Sequence, residues 1–442
     1  MKNLIHILFL FLPVVLFAQN YEPQPASRNP LKWPFSTTSI WNMPIGSNAE
    51  YTHAYIERAT QAGMTIDEDY IVMTPAAPLM DIYWSNAGWN ANGNRCLRNR
   101  DTPLASWPIP QDFIVSPQTW DGKTPNAGIA VLMPDGRTIK HSQPFAHCEE
   151  GGYATSQYMF DDADLYGDGY YGSHGGSKLS AIGGALRVGE LTPTSGPIRH
   201  ALKINLYGRK NIYYDSATRG YRWPAKAADS YASSAYYKDR KNPVVPDCRM
   251  GALFALPPST TISSLNLETE PAKILALAFQ DYGAYLVDDT AWDVWAIVTE
   301  WGPDGRFATE FRKDWGFSFS TGVNTAFGRD MIKIFTNLHV VTNNTAQSIG
   351  GGGTPRVPLA PPFGNTASIS QPKEKTQIMF SVNENTIIFD ENLTGEILIL
   401  DCVGRVVAKK NMNNERSVDI SHLTGGVYFL THKTHSIKFV KN

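Results

Sequence analysis

The chain lacks most of the features that classify a protein quickly. It has four cysteines in 442 residues and no Cys-x-x-Cys pair, which excludes a zinc ribbon on ligand spacing and a disulfide scaffold on number. Neither sign of charge dominates: 39 Lys and Arg stand against 41 Asp and Glu, giving a net charge of −2, so no basic field exists to hold nucleic acid or anionic lipid. After Ala18 no apolar run approaches the roughly 20 residues that a membrane-spanning helix needs. There is no His-Glu-x-x-His and no Gly-x-Ser-x-Gly elbow. The glycine-rich Gly172-Ser173-His174-Gly175-Gly176-Ser177-Lys178 has Ser177 where a phosphate-binding loop requires glycine before its lysine, so a nucleotide enzyme is not supported. No repeat period runs through the body.

What is present is punctuation and export. Lys2 precedes an apolar stretch from Leu4 to Ala18, and Leu16-Phe17-Ala18 before Gln19 has the small-residue ending of a signal peptidase site, so residues 1–18 are a leader. With 36 Gly and 29 Pro, most periodic stretches are short and alternating. In Ile198 to Tyr207, residues Ile198, His200, Leu202, Ile204 and Leu206 fall on one face and Arg199, Lys203, Asn205 and Tyr207 on the other, which reads as a half-buried antiparallel strand. Leu186 to Glu190 and Trp292 to Val298 have the same grain. Helices are expected after the capping-box pattern Ser47-Asn48-Ala49-Glu50, over Tyr51 to Ala62; after Thr269, with Pro271 in the first turn; and over Gly328 to Leu338. Because strands and helices do not alternate, the fold class is mainly β: a large β-sandwich or jelly-roll-like body over 19–342 with a few packed helices. A Gly/Pro-rich linker is expected over 343–371, followed by a small C-terminal β-sandwich over 372–442.

That last segment carries a resemblance. Leu400-Asp401-Cys402-Val403-Gly404-Arg405-Val406-Val407, Asp419-Ile420-Ser421-His422-Leu423-Thr424-Gly425-Gly426-Val427-Tyr428-Phe429-Leu430 and the closing Lys438-Phe439-Val440-Lys441 resemble the C-terminal sorting domain of the type IX secretion system of Bacteroidetes. The resemblance implies passage through periplasm and outer membrane to the cell surface or medium, with the type IX machinery as partner and a cargo that is hydrolytic, lyase or adhesive. The body, through His174 to Leu191 and Pro197 to Lys203, resembles a group of exported bacterial proteins, a likeness that brings no activity and no catalytic residues with it.

Candidate chemistry concentrates between Lys140 and His200, where His141, His147, His174 and His200 crowd together. Glycines flank His174, which frees an imidazole to meet a ligand and exchange protons near neutrality. Tyr170, Tyr171, Arg187 and Glu190 complete the expected catalytic set. Substrate contacts are expected from His141, His147, Arg199, Lys203, Tyr207 and Trp223, with the strand face of Arg199, Lys203 and Tyr207 either lining a groove or facing solvent. His200, on the apolar face, reads as a satisfied core histidine. No cofactor is expected; the run Asp161, Asp162, Asp164, Asp168 offers oxygen ligands to calcium, without EF-hand spacing. His141, His147 and Glu149 match no zinc motif. Cys148 and Cys248, each bordering a polar segment, are the expected disulfide pair.

Eleven Trp and 20 Tyr supply flat amphipathic faces suited to sugar rings. Three functions follow. The first is an enzyme degrading an acidic polysaccharide by β-elimination, with His174 as base, Tyr170 or Tyr171 as acid and Arg187 or Arg199 holding the enolate. The second is a glycoside hydrolase with a carboxylate pair drawn from Glu149, Glu150, Glu190, Asp247 and Asp289. The third is a non-catalytic carbohydrate-binding or adhesive surface protein.

Overall fold

The computed structural model describes residues 24–90, 93–115, 126–364, 380–383, 385–401, 405–432 and 435–441, so the leader lies outside the described residues. It divides into two units, 1–364 and 365–442. The chain is mainly β, with 33% strand and 12% helix.

The body is organised by a twelve-stranded sheet. Its central strands run in the order Leu253–Ala255, Ala284–Asp289, Leu202–Leu206, Trp295–Gly302, Thr65–Val72, Ile129–Leu132 and Thr138–Gln143. The middle of this sheet departs from the antiparallel expectation: Leu202–Leu206 pairs parallel with Ala284–Asp289, and Thr65–Val72 pairs parallel with both Trp295–Gly302 and Ile129–Leu132. Parallel strands are covered on both faces, and this sheet obeys that rule. Leu202, Ile204, Leu206, Leu286, Trp295 and Ile297 enter one apolar cluster, together with Phe279, Phe311 and Phe335. These three come from the helices Glu270–Asp281, Phe307–Trp315 and Ala326–Thr336. On the opposite face Ile71, Ala130, Tyr285, Val287 and Val298 pack with Phe35, Trp41 and the loop residues Leu179, Ala181 and Ile182. A four-stranded sheet containing Leu79–Trp84 and Ala154–Ser156 encloses a further cluster with Tyr70, Ile82, Trp107 and Phe145.

Four sequence expectations need correction. Tyr51 to Ala62 forms no helix: Tyr51–His53 is a strand paired antiparallel with His339–Val341, and Glu50 N–H donates to Asn343 Oδ1 at 3.0 Å. A capping pattern is local, and here long-range pairing outweighs it. Leu186 to Glu190 is not a strand beyond a single bridge from Leu186 to Thr299, because Gly189 turns at φ 94°. Through Gly364 the Gly/Pro-rich segment is part of the body, with Arg356 N–H donating to Ile45 O at 2.9 Å and Gly364 N–H to Arg28 O at 2.9 Å. The rest of that expected linker, 365–371, lies outside the described residues. The disulfide joins Cys96 to Cys148, with Cα atoms 5.8 Å apart, and leaves Cys248 a buried thiol. Cys248 packs in the core against the helix side of the sheet, out of reach of Cys148.

The C-terminal unit is a five-stranded antiparallel sheet built on two long strands, Thr386–Leu400 and Val406–Asp419. Ile387, Phe389, Ile397, Ile399, Val418 and Leu430 form its core. Among the described residues no helix is long and apolar enough to cross a membrane.

Candidate functional site

Strand alternation builds one polar island on an otherwise apolar sheet face. On Leu202–Leu206 the residues between the three core aliphatics are Lys203 and Asn205, so both point to the opposite side from Leu202, Ile204 and Leu206. On Thr65–Val72, Asp67 and Asp69 share a face by the same two-residue period. The register between Leu202–Leu206 and Ala284–Asp289 slips by one residue after Ile204, so that Asn205 stands opposite Asp288 rather than Val287. Such a slip re-aims side chains, and this one turns Asp288 to the face of Asn205.

Lys203 is fully buried and fully engaged, donating to Asp69 Oδ2 at 2.6 Å, Ser180 O at 2.9 Å and Ala181 O at 2.8 Å. It pins the 174–181 loop to the sheet. Burial pulls its ammonium below the ordinary value, yet three acceptors can be satisfied only by the charged form. Burial alone would raise Asp69, but His174 and Lys203 together hold that carboxylate below its usual range.

His174 ends the strand Tyr171–His174 and is 3% exposed. Its Nδ1 donates to Asp69 Oδ2 at 2.7 Å, which fixes the tautomer, and its Nε2 has no hydrogen-bond partner. The closest acidic oxygen to Nε2, Asp67 Oδ2, is 3.6 Å away, beyond hydrogen-bond length. Asp67 itself accepts from Asn205 Nδ2 at 2.7 Å and keeps 40% of its side-chain exposure, so it reaches solvent. Crowding by protein raises its carboxyl, an effect that His174 opposes. The glycines explain themselves here. A Cβ on Gly175, which has φ +41°, would fall 1.8 Å from Asp288 Oδ2, and one on Gly176 would fall 2.8 Å from Asp229 Oδ1.

Around this core stand three more carboxyls. Burial, then the charge of Asp229, pushes Asp288 well above the ordinary carboxyl range, although Gly176 N–H donates to its Oδ1 at 3.0 Å. Burial raises Asp229, which accepts from Tyr236 Oη at 2.5 Å, and pushes Asp289 up to about 7. Tyr231, 46% exposed, supplies an aromatic face beside Asp289.

The other expected residues distribute as follows. Tyr171 lies one strand turn from His174, with Lys226 Nζ 3.4 Å from its ring centre, and Tyr170 packs edge-on against Tyr171 and Trp223 at 6.0 and 5.9 Å. His141 is buried beneath Gly172, and burial lowers it to about 4, which keeps it neutral. His147 belongs to the four-stranded sheet, where its Nδ1 lies 2.6 Å from Phe113 O. Tyr207 follows the strand Leu202–Leu206 and leads into the short helix Gly208–Asn211. Arg187 and Glu190 are not with His174 but with His200, in a second buried cluster. There Arg187 meets both oxygens of Glu300, Nη2 to Oε1 and Nε to Oε2, each at 3.0 Å. His200 Nε2 donates to Glu190 Oε2 at 3.0 Å and Nδ1 to Ala201 O at 2.9 Å. Arg199 lines a hollow of about 310 Å³ beside that cluster.

The acidic run is divided among cations, Asp161 with Lys226, Asp162 with Lys140 and Asp164 with Arg137. Among the described residues no group of three or more His, Cys, Asp or Glu is arranged to hold a metal ion. Asp67, Asp69, Asp229 and Asp288 were not singled out in the sequence. The readable sign was Asp67-Glu68-Asp69 running into Tyr70-Ile71-Val72: two acids at i and i+2 on a strand about to be buried.

Residues 374–442 match the model of the secretion system C-terminal sorting domain. The chain is therefore exported by the type IX system, to the cell surface or the medium, and its last unit engages that machinery. No curated protein and no solved structure matches the chain.

Proposed function

We propose that the body is an extracellular enzyme that hydrolyses glycosidic bonds of a polysaccharide, with Asp288 and Asp67 as its carboxyl pair. The observation that carries this reading is two carboxyls on one sheet face whose surroundings differ. Burial and the charge of Asp229 hold Asp288 well above the ordinary carboxyl range, toward its protonated form, and Asp67 is gripped by an amide and reaches solvent. A neutral carboxylic acid can protonate the departing oxygen, while a carboxylate on the other side assists water or the anomeric carbon. His174, held by Asp69, keeps an unoccupied Nε2 beside Asp67 for a substrate hydroxyl or the water. Export to the surface and the aromatic rim of Tyr231 fit a polymeric sugar.

Elimination is the second reading, favoured by that same unoccupied Nε2, which is a ready base. It is the weaker one because, of the two cations expected to hold the enolate, Arg187 already faces Glu300 and Arg199 lines the hollow beside His200. Incubating the secreted protein with a panel of plant and algal glycans separates the two. New reducing ends without ultraviolet-absorbing unsaturated ends, abolished in Asp288→Asn, are expected. Unsaturated ends would transfer the assignment to a lyase, and binding without any new ends would make the protein an adhesin.

A further inference from the structure

Away from His174 the body exposes two aromatic rings stacked on one another. Trp89 and Tyr158 have ring centres 5.2 Å apart and planes inclined by 22°, and they remain 44% and 46% exposed. Single exposed aromatics are ordinary on a protein surface, so the pair carries weight only because the backbone holds it fixed. The guanidinium of Arg95, a residue only 4% exposed, donates from Nε to Gly88 O at 2.7 Å and from Nη2 to Asn90 O at 3.4 Å. A buried charge is thus spent on clamping the carbonyls of the two residues that flank Trp89. Arg95 O accepts from Thr155 Oγ1, and the next residue, Cys96, is bridged to Cys148. Gly88 turns at φ +49°, and a Cβ there would fall 2.3 Å from Gln157 Oε1, so the loop lies directly on the segment that carries Tyr158.

The pair is also continuous with the candidate site. Tyr158 begins the short strand Tyr158–Met159, and just beyond it the Phe160 ring centre lies 5.0 Å from Lys178 Nζ. That ammonium donates to Gly175 O at 3.1 Å, beside His174. A flat ring with an apolar face and a hydroxylated rim suits such a surface: indole and phenol stack on the C–H face of a sugar, and exposed Asn86 and Asn90 carry amides in the same loop. A stacking face already held rigid loses little freedom when it binds. We propose that Trp89 and Tyr158 form a sugar-stacking subsite that grips a polysaccharide several units away from the bond to be cut. This rests on the reading of the body as acting on a polysaccharide, and adds where the chain is held.

The test measures binding and cleavage separately. The native protein, Trp89→Ala and Tyr158→Ala are run through gels containing each glycan of the panel, and new reducing ends are scored on polymers and on short oligosaccharides. On a glycan that retards the native protein, Trp89→Ala should weaken binding about tenfold and Tyr158→Ala somewhat less. On a cleaved polymer KM should rise by a similar factor, while turnover of short oligosaccharides is unchanged. If Trp89→Ala lowers the denaturation midpoint, the comparison is read from Tyr158→Ala alone. Unchanged retardation and KM in folded variants overturn the subsite and leave the hydrolase reading standing. Retardation lost in the variants, with no new ends from any polymer, overturns the hydrolase reading and leaves the subsite. A native protein retarded by no glycan overturns the subsite, whatever ends it releases.

Discussion

Two buried histidines in one body, His174 and His200, show how the same residue types serve opposite ends. Each meets a carboxylate through a ring nitrogen, and each lies close to a buried cation paired with an acid. The difference is in the second nitrogen. In His200 it donates to Ala201 O, so the imidazolium is satisfied on both sides, while in His174 it is buried without a hydrogen-bond partner, 3.6 Å from Asp67 Oδ2. The hollow of about 310 Å³ adjoins His200, yet the chemistry left undone is at His174. A cavity marks where something fits; an unpaired buried donor or acceptor marks where something is missing.

The contrast breaks most visibly in activity. Asp288→Asn and Asp67→Asn should each lower turnover on the cleaved glycan by on the order of 10² to 10⁴, the scale of a positioned proton-transfer group. His174→Ala should fall in the same range, and its denaturation midpoint should move little, because Lys203 continues to hold Asp69. His200→Ala should do the reverse. Equal activity loss in the two histidine variants at equal stability would erase the distinction.

In the closed cluster the expected effect is on folding. Arg187 and Glu300 have side chains only 4% and 3% exposed, so Arg187→Met strands a carboxylate in the interior. Breaking such a pair from one side costs about 3–5 kcal/mol. Urea unfolding should register it as a lowered midpoint at unchanged slope, with activity per folded molecule retained. Lost turnover in a fully folded Arg187→Met protein would instead return Arg187 to the catalytic set.

How much of this could be read beforehand divides along the same line. The alternation of Leu202, Ile204 and Leu206 gave the strand, and with it the face of Lys203. Whether that face was groove, surface or interior depends on the 174–181 loop folding over it, which no local pattern encodes. His174 was legible because glycines flank it, although Gly175 is required by the approach of Asp288 rather than by a ligand. Asp67 and Asp288 were hidden for a physical reason: they arrive from strands some 220 residues apart in sequence and share a face only through parallel pairing and a one-residue slip. Arg187 and Glu190 lie near His174 in sequence but are drawn to Glu300 and His200, because buried charges assemble with partners, not with neighbours.

The smallest expected effect is in pH dependence, and it belongs to the closed cluster. Burial pulls His200 down, but Glu190 outweighs it and leaves the imidazolium above its ordinary 6.5. Burial pushes Glu190 up, but His200 and the Arg187 N–H leave it below its ordinary 4.5. A base raised by folding stabilises the native state fully below its unfolded value and loses that contribution as pH climbs through the folded one. A carboxyl lowered by folding contributes above its unfolded value and loses it as pH falls through the folded one. The pair therefore supports the fold most between pH 4.5 and 6.5, declining on the alkaline side as His200 gives up its proton. The unfolding free energy from urea titrations should be lower at pH 8.5 than at pH 5.5 in the native protein, in part through this pair, and His200→Gln should remove that share. An identical alkaline decline in His200→Gln would mean that Glu190 holds no imidazolium, and the two histidines would then differ in surroundings but not in charge.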